Sequence, residues 1–211
     1  MEITELSHKT NFNLISNLHK VTMLKDNKYY VYKNAYITIE TIDPNCLSPC
    51  QYYILKDELS KKNELQEAFK KYSNKNFPKV RYGGRDIFSI DGYYEFRTSN
   101  EVESRTLLPP IVEESIELDG KIYPLINDGM HRIYLALLQK RKINVVYIRG
   151  ALKPYYAYPL PNGWNDVKVV NEITKGSIKK IHRIQDKKKL YRNFDSVFTN
   201  CSKPRGITNN G

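Results

Sequence analysis

The chain has 211 residues, of which 40% are hydrophobic and 27% charged, which predicts a globular protein of one domain with or without an appendage. Its formal net charge of +11 suggests a polyanionic partner such as nucleic acid, although many basic proteins have no such partner. Its three cysteines, an odd number, argue against a secreted disulfide framework. The sequence shows neither a signal-peptide pattern nor an apolar run of membrane-spanning length. We therefore expect a soluble cytoplasmic protein without a membrane partner.

Residues 1–35 are predicted to form an N-terminal extension. Within residues 1–25, apolar positions recur every three residues, which is typical of a short amphipathic helix. Residues 28–42 then alternate aromatic and β-branched side chains on either side of a Lys-Asn step. This pattern predicts a hairpin or a pair of strands.

A helix is predicted over residues 55–72, which are rich in helix-forming side chains. Its expected buried stripe consists of Leu55, Leu59, Leu65, Ala68 and Phe69. Residues 79–105 follow as an inserted hairpin. The Asp-Gly step at residues 91–92, which lies between two short aromatic runs, is a strong hairpin signal.

The centre of the chain is predicted to form a strand, a turn, a strand, a turn, a helix and a strand. Residues 107–113 form a strand led by a proline pair, and a second Asp-Gly step at residues 119–120 connects it to another apolar strand. A helix-forming run at residues 133–140 and a strand at 143–148 complete the order. We therefore predict an α/β or α+β fold with a small mixed β-sheet and flanking helices.

Residues 151–211 are predicted to be a basic C-terminal extension. They contain 12 Lys and Arg against 4 Asp and Glu, a net charge of +8. One basic helix is expected over residues 187–198, packed on the core by its apolar stripe, and the alternative is a nucleic-acid contact surface. Trp164 is expected to anchor this segment rather than to stack on a base.

The clearest motif is the DGMHR turn, Asp128-Gly129-Met130-His131-Arg132. It lies between a predicted strand and a predicted helix, where a glycine lets the backbone approach a ligand and the helix offers unpaired N–H groups. His131 and Arg132 would repel the positive end of the helix dipole. Their presence indicates that an anion, most simply a phosphate, occupies the turn.

These residues resemble a known family. Leu108-Pro109-Pro110-Ile111-Val112, followed by a strand, the DGMHR turn, a helix and a strand, is similar to the ParB/sulfiredoxin-like fold over residues 36–150. The Asp-Gly-x-His-Arg form looks most like the ParB-like free serine kinases and the Asp-Gly-Gln-His-Arg proteins linked to DNA modification. Met130 stands where sulfiredoxin has its catalytic cysteine, which disfavours a sulfinic-acid reductase. Residues 151–211 show no helix-turn-helix, which disfavours a partition clamp.

The resemblance implies that Gly129, His131 and Arg132 hold the phosphates of a nucleotide, with Met130 contributing through its backbone. Asp128 and His131 are the candidate catalytic residues: Asp128 would bind a metal-bridged phosphate or act as general base. Its alternative role is that of an ordinary turn or N-cap aspartate. Glu113 is the candidate second carboxylate for Mg²⁺, or else an exposed acid at a strand end.

Two functions follow from these expectations. The first is a phosphotransferase or NTP hydrolase that uses ATP or another NTP or NDP with Mg²⁺. The second is a DNA- or RNA-binding protein of a mobile-element or DNA-modification system, which would contact nucleic acid through residues 151–211. A member of the fold without activity is a third hypothesis.

Overall fold

A computed structural model describes residues 1–76 and 87–201 and shows a mixed α+β fold, as expected. Over that range the chain forms three α-helices, α1 (Asn11–Leu18), α2 (Lys56–Asn76) and α3 (Met130–Leu138). The strands of the same range are β1 (Ile3–Lys9), β2 (Thr22–Met23), β3 (Asp26–Tyr30), β4 (Tyr36–Ile42), β5 (Tyr53–Leu55), β6 (Tyr93–Thr98), β7 (Arg105–Leu107), β8 (Ile111–Ile116), β9 (Ile122–Asp128), β10 (Ile143–Arg149), β11 (Lys168–Val170) and β12 (Arg192–Asn193).

A four-stranded sheet in the order β4-β10-β8-β9 carries the site. Strand β10 runs antiparallel to β4 and parallel to β8, while β8 and β9 form a hairpin. Gly120 takes the positive φ that the predicted Asp-Gly turn of this hairpin requires. The predicted order of strand, strand, DGMHR turn, helix and strand is therefore confirmed, and so is the mixed sheet.

Both faces of this sheet are covered. Because side chains alternate along a strand, neighbouring residues of the inner strands enter different apolar clusters. One cluster joins the sheet to α2 and α3 through Val112, Ile126, Val145, Ile133 and Phe69. The other joins it to α1 and to the C-terminal segment through Ile111, Leu125, Val146, Leu14, Leu18, Leu190, Phe194 and Phe198.

Helix α2 confirms the predicted helix, although it begins at Lys56 and continues to Asn76. Four of the five expected stripe residues are buried, Leu59, Leu65, Ala68 and Phe69, while Leu55 ends β5. Across the described ranges, no helix is both long and apolar enough to cross a membrane.

The N-terminal expectations were partly wrong. The helix is limited to α1, because residues 3–9 form β1, which pairs with β6 about ninety residues further along the chain. Strands β3 and β4 do not form a hairpin with each other, since β3 pairs with β2 and β4 with β10. Their local alternation indicated strands correctly, but the partners are non-local.

The inserted hairpin predicted at residues 79–105 also differs. Residues 79–86 lie outside the described part of the chain. Residues 87–90 are not a strand, because Ile87, Phe88 and Ile90 enter the core cluster with Phe69. The strand after Gly92, β6, pairs instead with β1 and β7.

The single basic helix predicted at residues 187–198 is wrong. The segment forms two short 3-10 turns, Lys187–Leu190 and Phe194–Ser196, separated by β12. Its apolar residues Leu190, Phe194 and Phe198 are nevertheless buried. Arg192, which lies between them in the sequence, is buried as well.

Arg192 forms an ion pair with Glu113 of β8, and each of the two side chains is only 1% exposed. The guanidinium donates from Nε to Oε1 at 3.0 Å and from Nη2 to Oε2 at 2.5 Å. It also donates to the backbone carbonyl oxygens of Lys153, Pro154 and Leu190. Both carboxylate oxygens of Glu113 are thus occupied, which is what a buried pair requires.

We predict that Arg192→Met lowers the free energy of unfolding by about 3–5 kcal/mol, because it leaves a buried carboxylate without its counter-ion. The measurement is urea denaturation of the full chain. The control is Lys25→Met, which removes a half-exposed pair with Asp186 at 3.2 Å and should change stability little. Equal losses of stability in the two variants would contradict the prediction.

Candidate anion-binding site

A cleft of about 1250 Å³ opens where β9 ends and α3 begins. The DGMHR turn lines one part of it. Helix α2 contributes Lys61 and Lys62, and the C-terminal segment contributes Tyr156, Lys180 and further residues. The C-terminal residues predicted as an extension therefore form part of the cleft wall.

Gly129 occupies a conformation and a space that only glycine fits. Its φ is +82°, in the left-handed region, and a Cβ atom placed there would lie 2.6 Å from Cβ of Pro110. Pro110 precedes β8, and its carbonyl oxygen accepts the N–H of Val146 in β10 at 2.8 Å. The proline pair and the DGMHR turn, which are separated in sequence, are therefore in direct contact.

Gly129 is also the N-cap of α3, and no side chain caps this helix. Its carbonyl oxygen accepts the N–H groups of Arg132 at 2.9 Å and Ile133 at 3.0 Å. The backbone N–H groups at the start of a helix lie at the positive end of the helix dipole. The beginning of α3 is accordingly suited to bind an anion.

Arg132 is buried, with a side chain 5% exposed, and supports the turn from within. It donates a hydrogen bond to the carbonyl oxygen of Leu108, and its Nη2 lies 3.7 Å from Oδ2 of Asp128. Burial lowers the pKa of Arg132, while the nearby Asp128 opposes that shift. Arg132 is thus a buried cation at the edge of the cleft.

The other turn residues share the same wall. Asp128 has a side chain 55% exposed, His131 is half-buried and Met130 is buried, and all three line the cleft. The structure therefore brings together every residue expected in the turn. Within the turn, only Asp128 presents a well-exposed carboxylate.

Glu113 does not join Asp128 in the cleft. The expectation of a strand-end acid facing the same space is wrong, because Glu113 is buried and both oxygens accept hydrogen bonds from Arg192. It also accepts hydrogen bonds from Tyr32 and Asn127. Burial and the charge of Glu113 raise the pKa of Tyr32, which keeps that hydroxyl a proton donor.

No group of three or more His, Cys, Asp or Glu side chains suited to a metal ion occurs in residues 1–76 and 87–201. Because Glu113 is committed to Arg192, Asp128 is the turn's own candidate ligand for Mg²⁺. A magnesium ion bound to a nucleotide commonly takes one or two carboxylates and completes its shell with phosphate oxygens and water. One carboxylate fits that arrangement, whereas a metal site made of protein ligands alone does not.

Sequence reasoning missed a set of residues behind the turn. The hydroxyl of Tyr155 donates to the carbonyl oxygen of Asn127, the residue before Asp128, at 3.1 Å. Nζ of Lys180 donates to the hydroxyl oxygens of Tyr155 at 2.8 Å and Tyr156 at 2.7 Å. The adjacent tyrosines and the Lys-Lys step were visible in the sequence, but nothing local indicated that they return to this turn.

Cys50 also lies beside this set, with its thiol donating to the carbonyl oxygen of Ile126 at 3.2 Å. Burial lowers the pKa of Lys180, but Cys50 and Tyr156 outweigh it and leave that pKa raised. Lys180 is therefore a fixed positive charge next to the strand end that leads into the turn.

The structure has the features of a ParB-like domain. These features are the mixed sheet, the turn at Gly129 that packs against Pro110, and helix α3, which begins directly after that turn. The family model described as the ParB CE domain matches residues 13–168, about three quarters of the chain. The chain belongs to the ParB CE domain family. The match extends on both sides of the expected domain, residues 36–150, and includes most of α1 and Tyr155-Tyr156. A search of curated proteins finds no match.

We predict that Gly129→Ala destabilises the protein more than Gly120→Ala does. Both glycines have positive φ, +82° and +76°, but a Cβ at Gly120 meets no atom within 4 Å. Gly120→Ala should cost about 1–2 kcal/mol for the left-handed backbone alone. Gly129→Ala adds the collision with Pro110, and the difference is measured by thermal or urea unfolding. Equal costs would show that the packing against Pro110 is not tight in solution.

Proposed function

We propose that this protein binds a nucleotide, ATP or another NTP or NDP, with its phosphates at the DGMHR turn, and acts as a phosphotransferase or NTP hydrolase. The observation that carries the proposal is the uncapped beginning of α3 at Gly129, which opens on the cleft. Backbone N–H groups and the helix dipole at such a point favour a phosphate.

The charged side chains of the turn support this ligand. His131 and Arg132 are cations or donors at a helix N-terminus, where they oppose the dipole unless an anion lies between them. His131 lines the cleft, and its imidazole N–H is the donor that we propose for a phosphate oxygen. Arg132 adds positive charge while holding the turn to Leu108.

Asp128 is the group proposed to handle the proton. Its carboxylate takes the proton of an acceptor hydroxyl, whose oxygen attacks the terminal phosphorus while the bond from phosphorus to the bridging oxygen breaks. The leaving group is the nucleoside diphosphate. In hydrolysis, water takes the place of the acceptor hydroxyl. Mg²⁺, held by Asp128 and phosphate oxygens, would neutralise charge on the phosphates.

The likeness of the turn to the Asp-Gly-x-His-Arg pattern of ParB-like free serine kinases favours a hydroxyl acceptor over water. Here the matching positions are Asp128, Gly129, His131 and Arg132, with Met130 at the variable position. Met130 is buried, so its side chain fills space beneath the turn.

We predict that His131→Ala weakens nucleotide binding by roughly tenfold or more, because the variant has one charge-assisted hydrogen bond fewer. Asp128→Asn should abolish turnover, keep the binding of nucleotide without Mg²⁺, and reduce the gain in affinity that Mg²⁺ gives. Binding is measured by calorimetry with ATP, ADP and CTP, with and without Mg²⁺. Arg132→Ala is a poor probe, since the side chain is buried and its removal would also affect folding.

The control is Asp119→Asn, which makes the same chemical change in the exposed β8–β9 turn. It should alter neither binding nor turnover. If wild-type protein binds none of the nucleotides, or if His131→Ala binds them as tightly as wild type, the proposed function is wrong.

A second candidate function is nucleic-acid binding through residues 151–211. It is favoured by the net charge of +8 and by the exposure of Lys153, Lys168, Lys175, Lys188 and Lys189. Deleting the segment would not test it, because Arg192, Phe194 and Phe198 belong to the core.

The sharper variant is Lys175→Gln with Lys188→Gln and Lys189→Gln. If these lysines bind DNA phosphates, duplex DNA affinity should fall, and its dependence on log salt should become shallower by about 0.9 for each phosphate that the variant no longer neutralises. Fluorescence anisotropy across a salt series measures both quantities. An unchanged slope would exclude these lysines as phosphate ligands.

A further inference from the structure

A second group of basic side chains lines the same cleft. Lys180, His182 and Lys187 all belong to the segment that follows β11, and all three are half-buried. They are not part of the DGMHR turn. They therefore add basic groups to the cleft that are separate from His131 and Arg132.

Lys180 and Lys187 lie close enough to His182 for their charges to act on its ring. Burial first, and then the charges of Lys187 and Lys180, lower the pKa of His182, which favours the uncharged imidazole. Asp186, the acid nearest in sequence, is paired with Lys25 at 3.2 Å. An anion bound between the two lysines would accept from the N–H of this imidazole and offset the positive charge around it.

Aromatic contacts hold the group in position. The ring of Tyr156 stacks on His182 with centroids 5.8 Å apart and packs against Tyr191 with centroids 4.3 Å apart. Its hydroxyl accepts a hydrogen bond from Lys180. A preorganised set of donors gives up little entropy when a ligand binds.

Lys180 also connects the group to the proposed nucleotide site. The hydroxyl of Tyr155 accepts from Lys180 and donates to the carbonyl oxygen of Asn127, directly before Asp128. Only one side chain thus lies between this lysine and the beginning of the turn. Lys180 contributes its charge, while His182 and Lys187 supply donors to a ligand.

The cleft is larger than a typical site for one small molecule. Sites for one small molecule usually occupy about 300–1,000 Å³, and this cleft measures about 1250 Å³. A nucleotide at the turn would fill only part of it. Two lysine charges and the N–H of a histidine favour a ligand group with more than one negative charge, which describes a phosphate better than a carboxylate.

We propose that Lys180, His182 and Lys187 form a second anion subsite that binds a phosphate group of the acceptor molecule while a nucleotide occupies the DGMHR turn. The acceptor role rests on the proposed function, whereas the subsite itself does not. The substrate class is a small phosphorylated molecule that carries a hydroxyl group. It enters the cleft with its phosphate on the C-terminal wall and its hydroxyl toward Asp128.

The test uses inorganic phosphate as the probe and the full chain in a buffer without phosphate or sulfate. Calorimetry compares wild type with the double variant His182→Gln, Lys187→Gln. The matched control is Lys28→Gln with Lys33→Gln, which removes two exposed charges at positions that do not line the cleft. We expect affinity for phosphate to fall at least about tenfold in the first variant and to stay within about twofold in the control.

The titration is repeated with saturating ADP and Mg²⁺, and phosphate should still bind. The proposed subsite is wrong if ADP displaces phosphate. It is also wrong if the two double variants lower the affinity for phosphate equally, or if neither lowers it. If phosphate binds as expected but no nucleotide does, the proposed function fails and the subsite stands. If nucleotide binds and phosphate does not, the inference fails alone. Thermal unfolding of each variant confirms that it is folded.

Discussion

The buried ion pair between Glu113 and Arg192 is the interaction on which the shape of the site depends. Glu113 lies in β8 beside the strand that leads into the DGMHR turn, and Arg192 lies in the C-terminal segment that forms part of the cleft wall. Two charges removed from water must satisfy each other, so neither element can move away without leaving a charge buried and unpaired. The pair thereby fixes the C-terminal segment against the sheet.

The same carboxylate also orders the residues that lead into the turn. Asn127 donates to Glu113 and to Tyr32, and its own carbonyl oxygen accepts from Tyr155. On the other side of the turn, Gly129 is pressed against Pro110. Asp128 is therefore held between two fixed neighbours, which is the preorganisation that a binding or catalytic group needs.

The family match and the domain expected from the sequence have different boundaries. The ParB CE domain match begins within α1 and continues past Tyr155-Tyr156, both of which pack on the sheet. Segments that the sequence pattern predicts to be extensions supply core side chains and cleft lining. An extension in sequence is here a structural part of the same domain, because its apolar residues complete the cluster on one face of the sheet.

Local signals in the sequence determined the helix α2, the β8–β9 hairpin, and the DGMHR turn between β9 and α3. Apolar periodicity, Asp-Gly turns and a glycine at a strand-to-helix junction are short-range properties that one stretch of chain expresses by itself. The tertiary structure alone decided that β1 pairs with β6, that residues 187–198 form short 3-10 turns instead of one helix, and that Glu113 is buried rather than open to a metal. It alone also placed Lys180 beside the turn. The reason is that each of these outcomes depends on partners far away in the chain, and a pattern read along one segment contains no information about what packs against it.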